Sequence, residues 1–261
     1  STATPETLEE LLAWLDQRLS ERDYRGIAMS VPGAVHQETG VIEGISAIPY
    51  IHGFSWYEAL AHHKLPIHLE NDANCVGLSE LLAHPEIENA ACVVIGTGIG
   101  GAMIINGKLH RGRHGLGGEF GYMTTIEPAE RLNNWSQLAS TGNMVRYVIE
   151  KSGQTDWDGR KVYQEAAAGN ALCQEAIERM NRNLAQGLLN IQYLIDPDVI
   201  SLGGSISQNP DFIKGVQKAV DAFVERYEEY TIAPVIQACT YQADANLYGA
   251  LVNWLQEENQ W

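Results

Sequence analysis

The stretch from Ala90 to Gly107 constrains the fold of this chain more than any other. Six apolar residues, Ala90 to Ile95, lead into Gly96-Thr97-Gly98-Ile99-Gly100-Gly101; Ala102 to Ile105 reads as strand again, and Asn106-Gly107 follows. Asn-Gly between apolar runs is the strongest two-residue hairpin signal, so two strands flank a glycine loop. The glycines satisfy GxGxxG, and Glu119 lies about where a dinucleotide fold places its ribose-binding acid. That fingerprint needs a helix directly after the glycines, so that its amides face a pyrophosphate; the strand found here argues against a nicotinamide site. Backbone N–H groups of a glycine turn can still converge on an anion, with Thr97 adding a hydroxyl. The alternative is a turn whose glycines serve backbone shape alone.

Strands and helices alternate around this segment. Leu8, Leu11, Leu12, Leu15 and Leu19 recur at helical spacing after Pro5, with Glu6, Glu9 and Glu10 at the favourable end of the dipole. Gly26 to Ser30 reads as a strand stopped by Val31-Pro-Gly33, and Ile67-His-Leu69 as a strand running through Glu70-Asn71-Asp72 into a helix from Ala73 to Leu82. Helices are predicted at Trp135–Lys151, Lys161–Ala168, Ala171 to about Ile195, Asp211 to about Tyr227 and Ala243–Leu255, with strands at Val199–Leu202 and Val235–Ala238. This is an α/β pattern.

Seventeen basic against thirty-three acidic residues give 261 residues a formal charge of −16, which repels a phosphodiester backbone and argues against nucleic acid as a partner. No apolar stretch approaches the ~20 residues of a membrane-spanning helix. Cys75, Cys92, Cys173 and Cys239 stand apart with no CxxC pair, which suits a reducing cytoplasm and suggests neither a zinc site nor a disulfide framework. Ser1 to Pro5 lacks the pattern of a secretory signal.

Two acids are candidates for chemistry. Asp72, after a strand and before a helix, is either the helix N-cap or a general base that takes a proton from a substrate hydroxyl, with Asn71 beside it as a hydrogen-bonding group. Glu119 lies in Gly117-Gly-Glu-Phe-Gly121, where flanking glycines let a ligand approach; an ordinary loop acid is the alternative. Lys108, His110, Arg111, Arg113 and His114 form a dense basic patch, a solvated face or a phosphate-steering one. Neither histidine has a partner at metal spacing.

Ser30-Val-Pro-Gly33, Glu70-Asn-Asp-Ala-Asn74 with Glu80, the Gly96–Gly101 run, Gly107-Lys-Leu-His-Arg-Gly112, Gly115-Leu-Gly-Gly-Glu-Phe-Gly121 and Leu202-Gly-Gly204 together resemble, in order and spacing, the ROK family of sugar kinases. The resemblance is strongest to its fructokinase, glucokinase and β-glucoside kinase branch and covers nearly the whole chain. It implies an actin-like ATPase (ribonuclease H-like) fold of two α/β domains with the active site in the cleft between them. Residues 1–72 plus 243–261 would form the small lobe and 73–242 the large one. Asp72 would activate a sugar hydroxyl, the 6-hydroxyl of glucose or a related hexose being the first choice, while Gly33, Asn71, Glu119 and Tyr122 would hold the sugar. Thr97, Gly98, Gly100 and Gly101 would form a phosphate loop and Gly203-Gly204 the turn bordering the adenosine. ATP and Mg2+ are the implied cofactors, a sugar and a nucleotide the partners, and a homodimer the assembly.

The sequence departs from that family in three ways. The family's opening Asp-x-Gly-Gly-Thr phosphate loop is not among these residues, which leads to the expectation that only a longer form phosphorylates sugar, or that the chain is an idle sugar-binding relative. The family's zinc module is gone, with Tyr122 where its histidine stands and no cysteines after it, so no zinc is expected. Ser136 takes the place of a sugar-binding glutamate and Ala47 that of an asparagine, and fewer hydroxyl contacts there would admit a substituted sugar such as a β-glucoside. A DNA-binding relative would carry a basic module ahead of this region.

Overall fold

Thr7 caps the first helix, α1 (Leu8–Ser20), its hydroxyl accepting from the Glu10 amide at 3.2 Å as short oxygen side chains do at free helix amides. The leucine stripe of α1 packs on a buried cluster holding Ile27, Val31, Ile42, Trp56, Leu60 and Leu69. These side chains come from β1 (Ile27–Val31), β3 (Val41–Glu43), α2 (Trp56–Leu60) and β4 (Ile67–Asn71); β2 (Ala34–His36) pairs with β3 as a hairpin. The computed structural model describes residues 3–44, 46, 48–126, 132–227 and 229–261. β1 and β4 run parallel with Val31 opposite Asn71. Their ends therefore emerge side by side, and the Pro32-Gly33 turn lies next to Asp72.

Helix α3 (Asp72–Ala83) starts directly after the last residue of β4 with no linker. Its N-cap is Asn71, whose Oδ1 accepts from the amides of Ala73 (2.9 Å) and Asn74 (3.1 Å). The cap role considered for Asp72 thus belongs to its neighbour, because the strand-to-helix switch falls one residue earlier. β5 (Ala90–Ile95) and β6 (Ile99–Ile105) form an antiparallel pair with Ile95 opposite Ile99. The expected six-residue glycine loop is only Gly96-Thr97-Gly98; Gly100 and Gly101 are already in β6. Asn106 (φ 52°) and Gly107 (φ 70°) make the predicted turn into β7 (Lys108–Leu109), with both residues left-handed as a primed hairpin turn requires.

After the antiparallel pair β8 (Thr124–Ile126) and β9 (Leu132–Asn134), the single helix predicted over 135–151 is two: α4 (Trp135–Ala139) and α5 (Thr141–Ser152). Ser140 is extended (ψ 157°), and its Oγ accepts from the Asn143 amide, which starts a new helix. Gly142 then donates to the Gly96 carbonyl at 3.1 Å, so the break places the first turn of α5 on the glycine turn.

The remaining elements are α6 (Gly159–Ala167), α7 (Ala171–Ile195), β10 (Val199–Gly203), α8 (Pro210–Arg226), β11 (Ile236–Ala238) and α9 (Ala245–Glu257). The central sheet has the order β11-β10-β5-β6-β7, with β10 parallel to both neighbours and β6 and β7 antiparallel. Ile95 and Leu202 from this sheet bury against Trp135, Met144, Leu184, Leu188 and Phe212 of the helices on one face. On the other face α3 packs against α9, which also contacts β1 and β4.

Candidate active site

Asp72 opens α3 at the edge where β1 and β4 end. Its Oδ1 accepts from the Ala73 amide at 2.9 Å, yet burial outweighs that help and pushes its carboxyl above the usual aspartate range. Asn71 fixes the position: its Oδ1 caps α3, and its Nδ2 donates to the Gly33 carbonyl at 3.1 Å. Glu119, at the mouth of the Phe120–Tyr122 turn, is likewise pushed up, first by burial and then by the charge on Asp72. The two acids feel each other across one cavity.

That cavity, of about 650 Å³, brings together Gly33, Asn71, Asp72, Glu119, Gly98 and Gly100. Tyr122 and Leu116, 72% and 56% exposed, also line it as apolar surface open to solvent. A Cβ on Gly100 would sit 3.4 Å from the Cβ of Ala73, so the start of β6 lies against the first turn of α3. Ser136 lines the cavity as well, with its hydroxyl committed to the backbone: it accepts from the Ile99 amide (2.9 Å) and donates to the Ile99 carbonyl (3.2 Å).

The other glycines are placed differently. Gly101 lies within β6 away from the cavity lining, and a Cβ there would fall 2.4 Å from the Phe120 ring and 2.5 Å from the Cys92 carbonyl. Its smallness lets the Phe120 turn dock on the strand. Thr97 is exposed at the tip of the turn. Gly204 (φ 90°) passes so close to the Ile95 carbonyl that a Cβ would be 2.1 Å from it. Gly203-Gly204 lead into the turn Ser205–Gln208, which helps line another cavity of about 510 Å³ together with Thr141, Arg160, Tyr163 and Asn209. In it the Thr141 Oγ1 and Tyr163 hydroxyl are buried with no hydrogen-bond partner. Orphaned polar atoms are rare in folded proteins, so two on one cavity wall fit a polar ligand.

The basic patch divides. Arg111 reaches inward, its Nε 2.6 Å from Oε2 of the buried Glu70 and its guanidinium also bonded to Asn253 (2.8 Å) and Glu257 (3.3 Å). Arg113 and His114 line a cavity of about 420 Å³ that shares Ala34 and Glu43 with the main one. Sequence reasoning missed the lining residues Glu43, Ser46, Asn134 and Asn246, which no motif singles out. Ala47 lies outside the described residues.

The ROK family model matches residues 1–257. The chain belongs to the ROK family. It is 34% identical over 261 residues to a beta-glucoside kinase of Listeria monocytogenes, covering 97% of this chain and 87% of that one. Among solved structures, a ROK family protein from Streptococcus pneumoniae in complex with sucrose is 87% identical with a TM-score of 0.97, over all of this chain and 90% of the other. A ROK hexokinase from Thermus thermophilus is 25% identical with a TM-score of 0.83, over 99% and 90%. The fold is accordingly the α/β actin-like ATPase fold of the ROK sugar kinases. Among the described residues no helix is long and apolar enough to cross a membrane.

Proposed function

We propose that this ROK protein transfers the γ-phosphoryl group of ATP to a hydroxyl of a hexose or hexoside, the 6-hydroxyl being first choice, with Asp72 as general base. The reading rests on Asp72 and the Gly96–Gly98 turn sharing one cavity, and it is supported by the kinase names of the relatives. As the sugar oxygen bonds to phosphorus and the bond to the β–γ bridging oxygen breaks, leaving ADP, the hydroxyl proton passes to the Asp72 carboxylate. A carboxyl raised above its ordinary value is a better-matched base near neutrality. Phosphoryl transfer otherwise needs positioning and charge neutralisation. Asn71, Glu119 and the Gly33 turn would hold the ring, Tyr122 would lie against its apolar side, and the amides near Thr97, Gly98 and Gly100 would meet the phosphates, with Gly101 shaping the strand behind them. The nucleoside would extend past Gly203-Gly204 into the cavity holding the unpartnered Thr141 and Tyr163 hydroxyls. Magnesium on the phosphates would offset the repulsion between ATP and a chain of charge −16.

A glucoside, rather than free glucose, is the better substrate in this reading. The apolar surface of Tyr122 and Leu116 and the adjoining cavity at Arg113 and His114 leave room beyond a single ring. The 87% identical relative was solved in complex with sucrose, a glucose substituted at its anomeric carbon, which supports a glucoside as ligand. The reading also divides the chain into residues 1–72 plus 243–261 and residues 73–242, with α9 returning to β1 and β4 while packing on α3 across that division. It places the protein in the cytoplasm, where its four buried free thiols stay reduced, and as a homodimer.

Asp72→Asn tests the assignment. The amide keeps the shape and cannot take the proton, so turnover is lost while calorimetry still shows sugar binding; retained turnover would refute the role. Titrating glucose, an aryl β-glucoside and sucrose separately tests the substrate class, and equal exclusion of both glucosides would defeat it.

A further inference from the structure

We propose that Asp16, His62 and His63 form a binding site for a divalent cation of the zinc class, on the outer face of the first lobe. Asp16 stands on α1, and the two histidines are consecutive in the 3-10 turn Ala61–His63 that follows α2. Forty-five residues separate Asp16 from the histidine pair, so spacing alone gives no sign of the cluster.

The ligand atoms already converge. Nε2 of His62 and of His63 lie 3.0 and 2.7 Å from the same Asp16 oxygen, and one ligand atom from each of the three residues falls within 4.8 Å of the others. Around a tetrahedral zinc with bonds of about 2.0–2.1 Å, ligand atoms stand roughly 3.3 Å apart. Lengthening the two contacts to Asp16 by about 0.3 and 0.6 Å therefore brings them to the spacing the ion needs. Two imidazoles and one carboxylate favour zinc and its borderline neighbours; magnesium and calcium prefer all-oxygen sets. His62 and Asp16 face solvent, which leaves a fourth position for water, while the His63 side chain is 15% exposed and held in place.

Both supporting elements are anchored. The α1 stripe and Leu60, which immediately precedes the histidine turn, pack into one apolar cluster, and Lys64 (φ 55°) closes that turn. Little ordering remains for the ion to impose. Because a carboxylate only accepts, each Nε2 presents its N–H to Asp16 without the ion; on binding, each ring carries its proton on Nδ1 and offers the Nε2 lone pair. The ion would then tie α1 to the α2 turn across the intervening chain and stabilise the folded state through its binding energy.

The experiment uses the full untagged chain, stripped with chelator and titrated with zinc chloride by calorimetry, with thermal unfolding followed in parallel. One zinc per chain is expected, together with a rise in Tm of several degrees at saturating zinc. His62→Gln/His63→Gln should lose at least about tenfold in affinity together with the Tm rise, and magnesium should produce neither. Cobalt(II) on the wild-type chain supplies a readout that needs no variant: visible d–d bands without thiolate charge transfer place the ion on nitrogen and oxygen rather than on a cysteine. No saturable zinc binding, unchanged affinity in the double variant, or thiolate bands would each overturn the proposal.

Discussion

Arg111 Nε donates to Oε2 of Glu70 at 2.6 Å, and the other oxygen of that carboxylate accepts from the Asn71 amide and from Nδ2 of Asn74, both at 2.8 Å. A charge in what reads as a solvated basic run thus braces the end of β4, where Asp72 begins. Glu70 is 1% exposed, so removing its partner leaves a buried carboxylate uncompensated. Arg111→Met is expected to cost about 2–3 kcal/mol, less than the full cost of breaking a deeply buried pair because the arginine is 28% exposed. Glu70→Gln/Arg111→Met should recover part of that loss. Urea unfolding of the single and double variants measures both, and additive losses would show that the two groups act independently.

Two glycines of one motif should separate when each gains a methyl group. At Gly101 the new Cβ meets the Phe120 ring and the Cys92 carbonyl below 3.0 Å, whereas at Gly98 its nearest neighbour is the Ser136 hydroxyl at 3.5 Å. Gly101→Ala is expected to destabilise by about 1–3 kcal/mol through overpacking. Gly98→Ala should unfold at nearly the wild-type temperature and raise KM for ATP. Thermal unfolding with kinetics on both variants distinguishes a packing glycine from one that admits phosphate.

Much of this was legible in the sequence where one element decides the outcome by itself. The α1 stripe, the apolar β5 run, the Asn106-Gly107 turn and the length of α7 each follow from local pattern. Legibility failed where distant chain decides. Ser140 breaks the helix that continuous periodicity predicts over 135–151, and the break makes sense only once Gly142 is seen bonded to Gly96. The motif residues Gly33, Asn71, Asp72, Glu119 and Tyr122 do meet in one cavity, because β1 and β4 end together; Glu43, Ser46 and Asn246 join them from segments with no chemical signature. Arg111 could not be told from its exposed neighbours, since its partner lies 41 residues earlier.

The family resemblance implies a sugar-contacting position for Ser136, yet both polar functions of its hydroxyl face Ile99. Its expected effect therefore falls on the glycine turn. Ser136→Ala should cost about 1 kcal/mol, the usual net value of such hydrogen bonds, and raise KM for ATP while leaving the sugar dissociation constant unchanged. Weakened sugar binding in calorimetry, with KM for ATP intact, would instead make the hydroxyl a substrate contact.

Asp72 carries a penalty that the base role proposed for it explains. Burial raises its carboxyl above the ordinary 3.8, and the same holds for Glu119 above 4.5. A group whose folded-state pKa is raised favours the folded protein fully below its unfolded value, and that contribution is lost as pH rises through the folded value. At neutral pH both acids are therefore destabilising, and they repel one another across the cavity. Asp72→Asn keeps the oxygen that accepts from the Ala73 amide and removes the charge. The variant should melt above wild type at pH 7, with the gap closing as pH falls through the raised folded-state value and gone below the ordinary 3.8, and Glu119 should then titrate nearer its ordinary value. With Asp72 as the proposed base, kcat of the wild-type enzyme should fall on the acid side at a pH above the ordinary aspartate value, as that carboxylate becomes protonated. Thermal unfolding across pH and the pH profile of kcat measure the two effects; a variant that melts below wild type at pH 7 would mean that the carboxylate is held by stabilising partners rather than strained by burial.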